Sequence, residues 1–190
     1  MRPTTRALVA KSFALASLCV GLLAHADEPF SLTSATFKDG TPLAKRSAGN
    51  DKSNPNCVGE NISPPLQWKN PPAETKSYAL WLVDQEGRRG LGVVHWVAYG
   101  IPATVTGFAA GEVSNASDKY VGGKSTMGKS TYFGPCPPPN SGAHHYVFTL
   151  VATDLEPTAL PAGLTRDELL MKLDGHAKGA SSLVALFRHP

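Results

Sequence analysis

The stretch Ser77-Tyr-Ala-Leu-Trp-Leu-Val-Asp84 decides the fold, because every residue between Ser77 and Asp84 is apolar or aromatic. A strand with apolar side chains on both faces must be buried between two layers. Residues 93–99 and 145–153 have the same character, and residues 30–37 and 182–187 read as outer strands. Stretches rich in Pro, Gly and Asn, which favour turns, separate them at 47–65, 71–76 and 134–142.

One helix is predicted near the end of the chain. The run Thr165-Arg-Asp-Glu168 fits a capping box, in which the Thr165 hydroxyl accepts from the Glu168 amide and the Glu168 side chain reaches back. Gly175 can end this helix. Its apolar face is formed by Leu169, Leu170 and Leu173. Many strands with one late helix favour a β-sandwich over alternating βαβ units.

The first 26 residues have the pattern of a signal peptide. A basic start (Arg2, Arg6 and Lys11) precedes an uncharged, mostly apolar run at 12–24, and Ala24-His-Ala26 offers small residues at the cleavage positions. The run is shorter than the roughly 20 residues that span a bilayer, so a retained membrane anchor is the weaker alternative. We therefore expect an exported protein, periplasmic or secreted, with one domain at 27–190 and no transmembrane span after cleavage.

Cleavage would balance the charge. The full chain has 18 Lys and Arg and 15 Asp and Glu. The first 26 residues contain three basic residues and no acidic one, so the remainder has a formal net charge of zero. A broad basic face for nucleic acid is therefore not expected, and any recognition of anions should be local.

Two cysteines, Cys57 and Cys136, remain after cleavage. In an exported chain such a pair favours a disulfide. Two buried thiols or a metal pair are the alternatives, but a metal site would need further Cys or His at short spacing, which neither cysteine has. We predict the disulfide, and neither a metal nor a cofactor.

Residues 123–130, Gly-Lys-Ser-Thr-Met-Gly-Lys-Ser, match the phosphate-binding loop of nucleotide hydrolases. That loop works only where a helix follows it, because the helix N-terminus holds the phosphates. Here four prolines follow within the five residues after Gly134, which excludes such a helix. We predict a polar surface loop in which Lys129 has no part in ligand binding.

A set of polar groups could form a donor pocket. His144 and Tyr146 share one face of a strand because successive side chains alternate, and His145 points away. His95 lies within an apolar strand, and Asp84 ends another. A lone strand histidine is more often structural, and Asp84 also fits a turn with Gly87. Neither a Gly-x-Ser-x-Gly nor a His-Glu-x-x-His motif of hydrolases is present.

Several motifs occur in an order that resembles the phosphatidylethanolamine-binding (Raf kinase inhibitor-like) family, in its secreted bacterial branch. The resemblance extends from about residue 30 to 188. The motifs are Asn61-Ile-Ser-Pro-Pro-Leu-Gln-Trp68, Leu82-Val-Asp84 with Val94-His-Trp-Val97 and Ile101-Pro102, Tyr132-Phe-Gly-Pro-Cys-Pro-Pro138, and Gly142-Ala-His-His-Tyr146.

The resemblance implies a Greek-key β-sandwich of two antiparallel sheets, with the C-terminal helix near a pocket for phosphate-like anions. By motif position it assigns ligand binding to Asp84, His95, Gly134, Pro135, Pro137, His144 and Tyr146. The chain departs from the family where Asp-Pro-Asp-x-Pro is replaced by Asp84-Gln-Glu-Gly-Arg88, where His145 replaces an arginine, and where Val93 replaces a bulky aromatic residue.

The leading hypothesis is an exported, non-catalytic binding protein for a small anion or a phospholipid headgroup. A protein inhibitor or signalling partner is the second hypothesis, which a pull-down from exported proteins would test. The third is an enzyme that uses His95, His144 and Asp84 as acid–base groups.

The cleavage site gives a direct prediction. The exported protein should begin at Asp27, and the intact mass of protein purified from the exported fraction measures this. A mass that includes residues 1–26 would refute it.

Overall fold

Nine strands and an eight-residue helix form the part of the chain that the computed structural model describes, residues 28–190. The predicted signal peptide and the predicted start at Asp27 lie outside the described residues. The strands are Ser31–Thr33 (β1), Thr41–Pro42 (β2), Leu66–Lys69 (β3), Ser77–Asp84 (β4), Val93–Pro102 (β5), Gly107–Phe108 (β6), Val121–Gly122 (β7), His144–Thr153 (β8) and Ala177–Phe187 (β9). The helix is Arg166–Leu173, and short helical turns occur at Lys45–Ser47, Gly87–Gly90 and Glu112–Ser114. None of the helices within this range has the length and apolar character needed to cross a bilayer.

The strands form two sheets, as expected. The larger has the order β2-β9-β8-β4-β5-β7, and the smaller has the order β1-β3-β6. One expectation is corrected, because β2 pairs with β9 in parallel, whereas the other strand pairs are antiparallel. The parallel pair is two residues long and lies at the edge of the sheet, where a short segment can attach in either direction.

The central strand β4 is buried along its whole length because different layers cover its two faces. Its even-numbered side chains enter the core between the sheets, and the odd-numbered ones enter a second core beneath the helix. The first set is Tyr78, Leu80 and Leu82, and the second is Ala79, Trp81 and Val83, which pack with Leu169 and Leu173 of the helix.

The outer strands differ in length from the sequence pattern. β1 stops at Thr33 instead of continuing to residue 37, and the Ser34 hydroxyl accepts from the Thr36 amide at 3.3 Å in the bend that follows. β9 begins at Ala177 rather than at residue 182, because it pairs with β8 over the whole length of β8. Its first residues include Gly179 and Ser181, which the sequence did not mark as strand.

The capping box is confirmed. The Glu168 amide donates to Thr165 Oγ1 at 3.3 Å, and the Thr165 amide donates to Glu168 Oε2 at 2.8 Å. The helix ends at Leu173, and Gly175 follows with a φ of 76°.

Two loops that are distant in sequence are joined beside the sheet. A disulfide links Cys57 to Cys136, 79 residues apart, as predicted. The Asn61 side chain donates to the Tyr132 carbonyl at 3.2 Å and accepts from the Gly134 amide at 2.8 Å. These contacts hold the proline-rich loop against the 47–65 loop.

The loop at 123–130 has the conformation expected from the prolines. No helix follows it within residues 131–140. Lys129 extends towards Phe133, with Nζ 5.6 Å from the ring centroid. The absence of any part for Lys129 in ligand binding stays a prediction.

Removal of the disulfide should lower the free energy of unfolding. For a loop of this length, loss of chain entropy in the unfolded state corresponds to about 4–5 kcal/mol, as an upper range. Urea unfolding of the Cys57→Ser, Cys136→Ser double variant, compared with the parent protein, measures this. Two free thiols in denatured, unreduced exported protein would contradict the bond itself.

Candidate functional site

The centre of the site is a buried pair formed by Asp84 and His144. Asp84 is the last residue of β4, and His144 is the first residue of the neighbouring strand β8. His144 Nδ1 lies 2.8 Å from Asp84 Oδ2 and 3.0 Å from Oδ1. The two side chains are only 8% and 6% exposed. A carboxylate can only accept, so Nδ1 carries a proton and Nε2 is the nitrogen left for a ligand.

Asp84 also builds the turn that follows it. Its Oδ1 accepts from the amides of Glu86 and Gly87 at 3.1 and 3.0 Å. The turn-forming role and the imidazole-orienting role, which the sequence left as alternatives, are therefore both present. Gly87 is needed here because a Cβ would approach Val93 to within 2.7 Å.

His95 reaches the site through a β-bulge. Val83 pairs with Val94, but Leu82 pairs with Trp96, so His95 is an extra residue on β5. A bulge turns two successive side chains towards one face of a sheet. His95 therefore lies on the same side as Trp96, whereas strict alternation from Val97 would place it in the core beneath the helix.

His95 is held in one tautomer. Its Nδ1 lies 2.8 Å from the Phe133 carbonyl, which can only accept, so Nε2 carries the lone pair of the neutral ring. Burial lowers the pKa of His95, and the bond to Phe133 and the charge of Asp84 only partly oppose this. The ring is therefore neutral at neutral pH.

Tyr146 lies behind the two imidazoles. It shares a face with His144, as alternation required, but its side chain is fully buried. Its ring centroid is 5.3 Å from that of His95 and 6.4 Å from that of His144. Burial raises the pKa of Tyr146, and the nearby Asp84 carboxylate adds to this effect. Within residues 28–190 its hydroxyl has no hydrogen-bond partner.

A cavity of about 560 Å³ opens in front of these groups. Asp84, His95 and His144 line one wall. Of the proline-loop residues that the resemblance assigned, Pro137 lines the cavity, whereas Gly134 and Pro135 are buried behind it. Tyr146 does not line it either. The apolar wall consists of Val93, Met127, Phe133, Pro137 and Pro138.

His145 faces away from this cavity. Its Nδ1 lies 2.8 Å from Glu86 Oε1, and its amide donates to Glu86 Oε2 at 2.7 Å. Burial acts to raise the pKa of Glu86, but these bonds from His145 lower it overall.

A metal site is chemically conceivable at Asp84, Glu86 and His144, whose ligand atoms lie within 4.8 Å of one another. However, His144 already bonds to Asp84, and Glu86 bonds to His145. Because each member has a protein partner, the arrangement is satisfied without a cation.

The chain is similar to known proteins over most of its length. The family model described as "Phosphatidylethanolamine-binding protein" matches residues 33–188. The chain belongs to the phosphatidylethanolamine-binding protein family. Family membership supports a protein of the binding type.

Two solved members of this family share the fold. Escherichia coli YbcL is 26% identical with a TM-score of 0.75, and the match covers 86% of this chain and 99% of YbcL. CT736 of Chlamydia trachomatis, described as a homologue of phosphatidylethanolamine-binding protein, is 30% identical with a TM-score of 0.72, over 85% of this chain and 98% of CT736.

Two relatives were found by sequence. A UPF0098 protein of Methanothermobacter thermautotrophicus is 38% identical over 138 residues, which cover 70% of this chain and 86% of the relative. LppC of Mycobacterium tuberculosis, named as a candidate lipoprotein, is 34% identical over 168 residues, covering 86% of this chain and 75% of LppC.

Sequence reasoning assigned neither of the two arginines among the described residues that line the cavity of this family member, Arg88 and Arg89. Both lie in the turn between β4 and β5 with φ values of 53° and 61°, in the left-handed region. Such conformations cost on the order of 1–3 kcal/mol each and often mark functional sites. The available signal was the Gly87-Arg-Arg-Gly90 run directly after a strand that ends in Asp84.

Replacement of Tyr146 by Phe should have little effect. Within residues 28–190 the hydroxyl forms no close hydrogen bond that would be lost, so the free energy of unfolding should change by less than about 1 kcal/mol. Phosphate affinity, measured by calorimetry, should stay within twofold of the parent value. A loss as large as that caused by His144→Ala would return Tyr146 to the ligand-binding set.

Proposed function

We propose that the protein is an exported, non-catalytic binding protein whose cavity holds the phosphate group of a small molecule or phospholipid headgroup. The observation that supports this proposal is the hydrogen bond from His144 Nδ1 to the buried Asp84 carboxylate. Only Nε2 then faces a ligand, and it donates a hydrogen bond when the ring is protonated. A charge-assisted bond of this kind suits a phosphate oxygen.

Two residues that line the cavity are cationic. Arg88 and Arg89 line it beside Glu86, whose carboxylate is already bonded to His145, and guanidinium groups match phosphate geometry. Neither arginine forms an ion pair with any residue in the described range 28–190. Both are therefore available to a ligand.

The size and the remaining walls indicate an organic phosphate. A cavity of about 560 Å³ is in the range of small-molecule sites and far exceeds one phosphate group. Met127, Phe133 and Pro137 offer apolar contacts. Neutral His95 presents a lone pair at Nε2, which can accept from an ammonium group such as that of phosphoethanolamine.

Binding without turnover is favoured by the state of the nucleophiles that line the cavity within residues 28–190. Cys136 is in the disulfide, and the Ser141 hydroxyl donates to the Pro138 carbonyl at 2.8 Å. The Asp84–His144 pair could still serve an enzyme as a general base, which makes acid–base catalysis the second candidate function.

Export is part of the proposal. The signal-peptide pattern at 1–26, the disulfide and the candidate lipoprotein among the relatives support it. Disulfides persist mainly in oxidising compartments outside the cytosol.

Phosphate and phosphoethanolamine should both bind less tightly when the His144 imidazole is removed. His144→Ala should weaken binding by roughly 1.5–3 kcal/mol, the scale of a charge-assisted hydrogen bond. Calorimetric titration of the variant and the parent protein at one fixed pH measures this effect.

His145→Ala is the matched control, because His145 does not itself line the cavity and should have a much smaller effect. Equal losses from the two alanine variants, or no loss from His144→Ala, would refute the proposed site. If the parent protein hydrolyses phosphate esters and the His144→Ala variant does not, the function is catalysis and the binding proposal is wrong.

A further inference from the structure

A second cavity lies on the other side of the 87–92 turn. It has a volume of about 350 Å³ and is separate from the site proposed above. Its polar wall comes from three segments: the turn itself, the loop at 123–130 and the start of the helix. The groups that matter are the cations Arg88, Lys124 and Arg166 and the hydroxyls of Ser125 and Thr126, because the Thr165 hydroxyl already donates to Glu168 Oε2 at 2.8 Å.

The fold fixes these segments against one another. The Lys124 amide donates to the Leu164 carbonyl at 2.8 Å, and Lys124 forms a parallel bridge with Thr165. The Thr126 amide donates to the Val94 carbonyl at 2.9 Å. The loop that resembles a nucleotide-binding motif is therefore held beside the helix start and β5 by its backbone.

The cavity has donor groups without acceptors. The Ser125 hydroxyl accepts from the Lys129 amide at 3.0 Å, and the Thr126 hydroxyl accepts from the Val94 amide at 2.9 Å. Within the described chain neither hydroxyl donates its own proton to a protein group. Ser125 is only 5% exposed, whereas Thr126 is exposed. Arg166 Nε is also buried, and it has no hydrogen-bond partner within residues 28–190.

The charged residues that line this cavity have a net positive charge. Among residues 28–190, Arg88 and Lys124 form no ion pair. Arg166 lies over Trp81, with Cζ 5.6 Å from the ring centroid, and its one carboxylate contact within residues 28–190 is at 3.5 Å to Asp167, whose side chain is 87% exposed. Among the described residues that line this cavity, three cations therefore face one solvated carboxylate.

We propose that this cavity is a second binding site, for a phosphoryl oxyanion with two or more negative charges. Oxygens of such an anion accept hydrogen bonds from hydroxyl and guanidinium protons that have no acceptor in the described chain. A buried donor without an acceptor costs free energy of folding, which a bound anion would recover. A volume of about 350 Å³ holds a diphosphate or a small phosphate ester. Arg88 lines both cavities, so it contributes to both sites.

Calorimetric titration of the mature protein with inorganic pyrophosphate at pH 7 tests this proposal. The parent protein should bind two equivalents. The His144→Ala variant should keep one of them, and Lys124→Gln in that background should weaken the remaining site at least tenfold. Arg88→Gln should weaken both sites.

Lys129→Gln is the matched control, since it removes the same charge from the same loop at a residue that lines neither cavity. It should leave both affinities unchanged. Arg166→Lys, which keeps the charge but loses Nε, should weaken the second site, and thermal melting checks that each variant is folded.

The outcomes separate the two proposals. A single site that His144→Ala abolishes and Lys124→Gln leaves intact would overturn the second site alone. A single site that depends on Lys124 and not on His144 would support the second site and overturn the first. Equal losses from Lys124→Gln and Lys129→Gln would indicate only general attraction and would also overturn the second site.

Discussion

The buried carboxylate of Asp84 is the interaction on which the candidate site depends. It accepts from the amides of Glu86 and Gly87 and from Nδ1 of His144. A charge removed from water is tolerated only when its oxygens are bonded, so these partners are required rather than incidental. One side chain thereby shapes the turn after β4, positions the arginines of that turn and fixes the tautomer of His144.

The opposite wall is fixed by independent means. The disulfide and the Asn61 side chain hold the proline-rich loop, and the Phe133 carbonyl of that loop orients His95. The two imidazoles are consequently different: His95 is buried, neutral and an acceptor at Nε2, whereas His144 is paired with a carboxylate and gains a donor at Nε2 on protonation. Two similar side chains thus offer complementary chemistry to an anion that carries an ammonium group.

The turn at 87–92 separates two cavities, and Arg88 reaches both. Its left-handed backbone is conformationally costly, yet the bonds from Asp84 and the antiparallel pairing of β4 with β5 fix both ends of the turn. Within the fold that the family shares, this turn is therefore a local segment of positive charge. The formal charge of residues 27–190 is zero, so this charge acts through its position and not through the charge of the whole protein.

Sequence alone determined the features that depend on local periodicity and local chemistry. Residues that are close in the chain were enough to predict four features. These are β4 with apolar side chains on both faces, the capping box at Thr165, the prolines that exclude a helix, and the shared face of His144 and Tyr146. Tertiary structure decided the rest. Alternation gives the face of a strand residue but not its depth, so Tyr146 was expected at the cavity and lies behind it. A bulge set by pairing with β4 brought His95 to the site, and packing of distant segments placed Arg88 and Lys124, because such positions depend on contacts that no local pattern records.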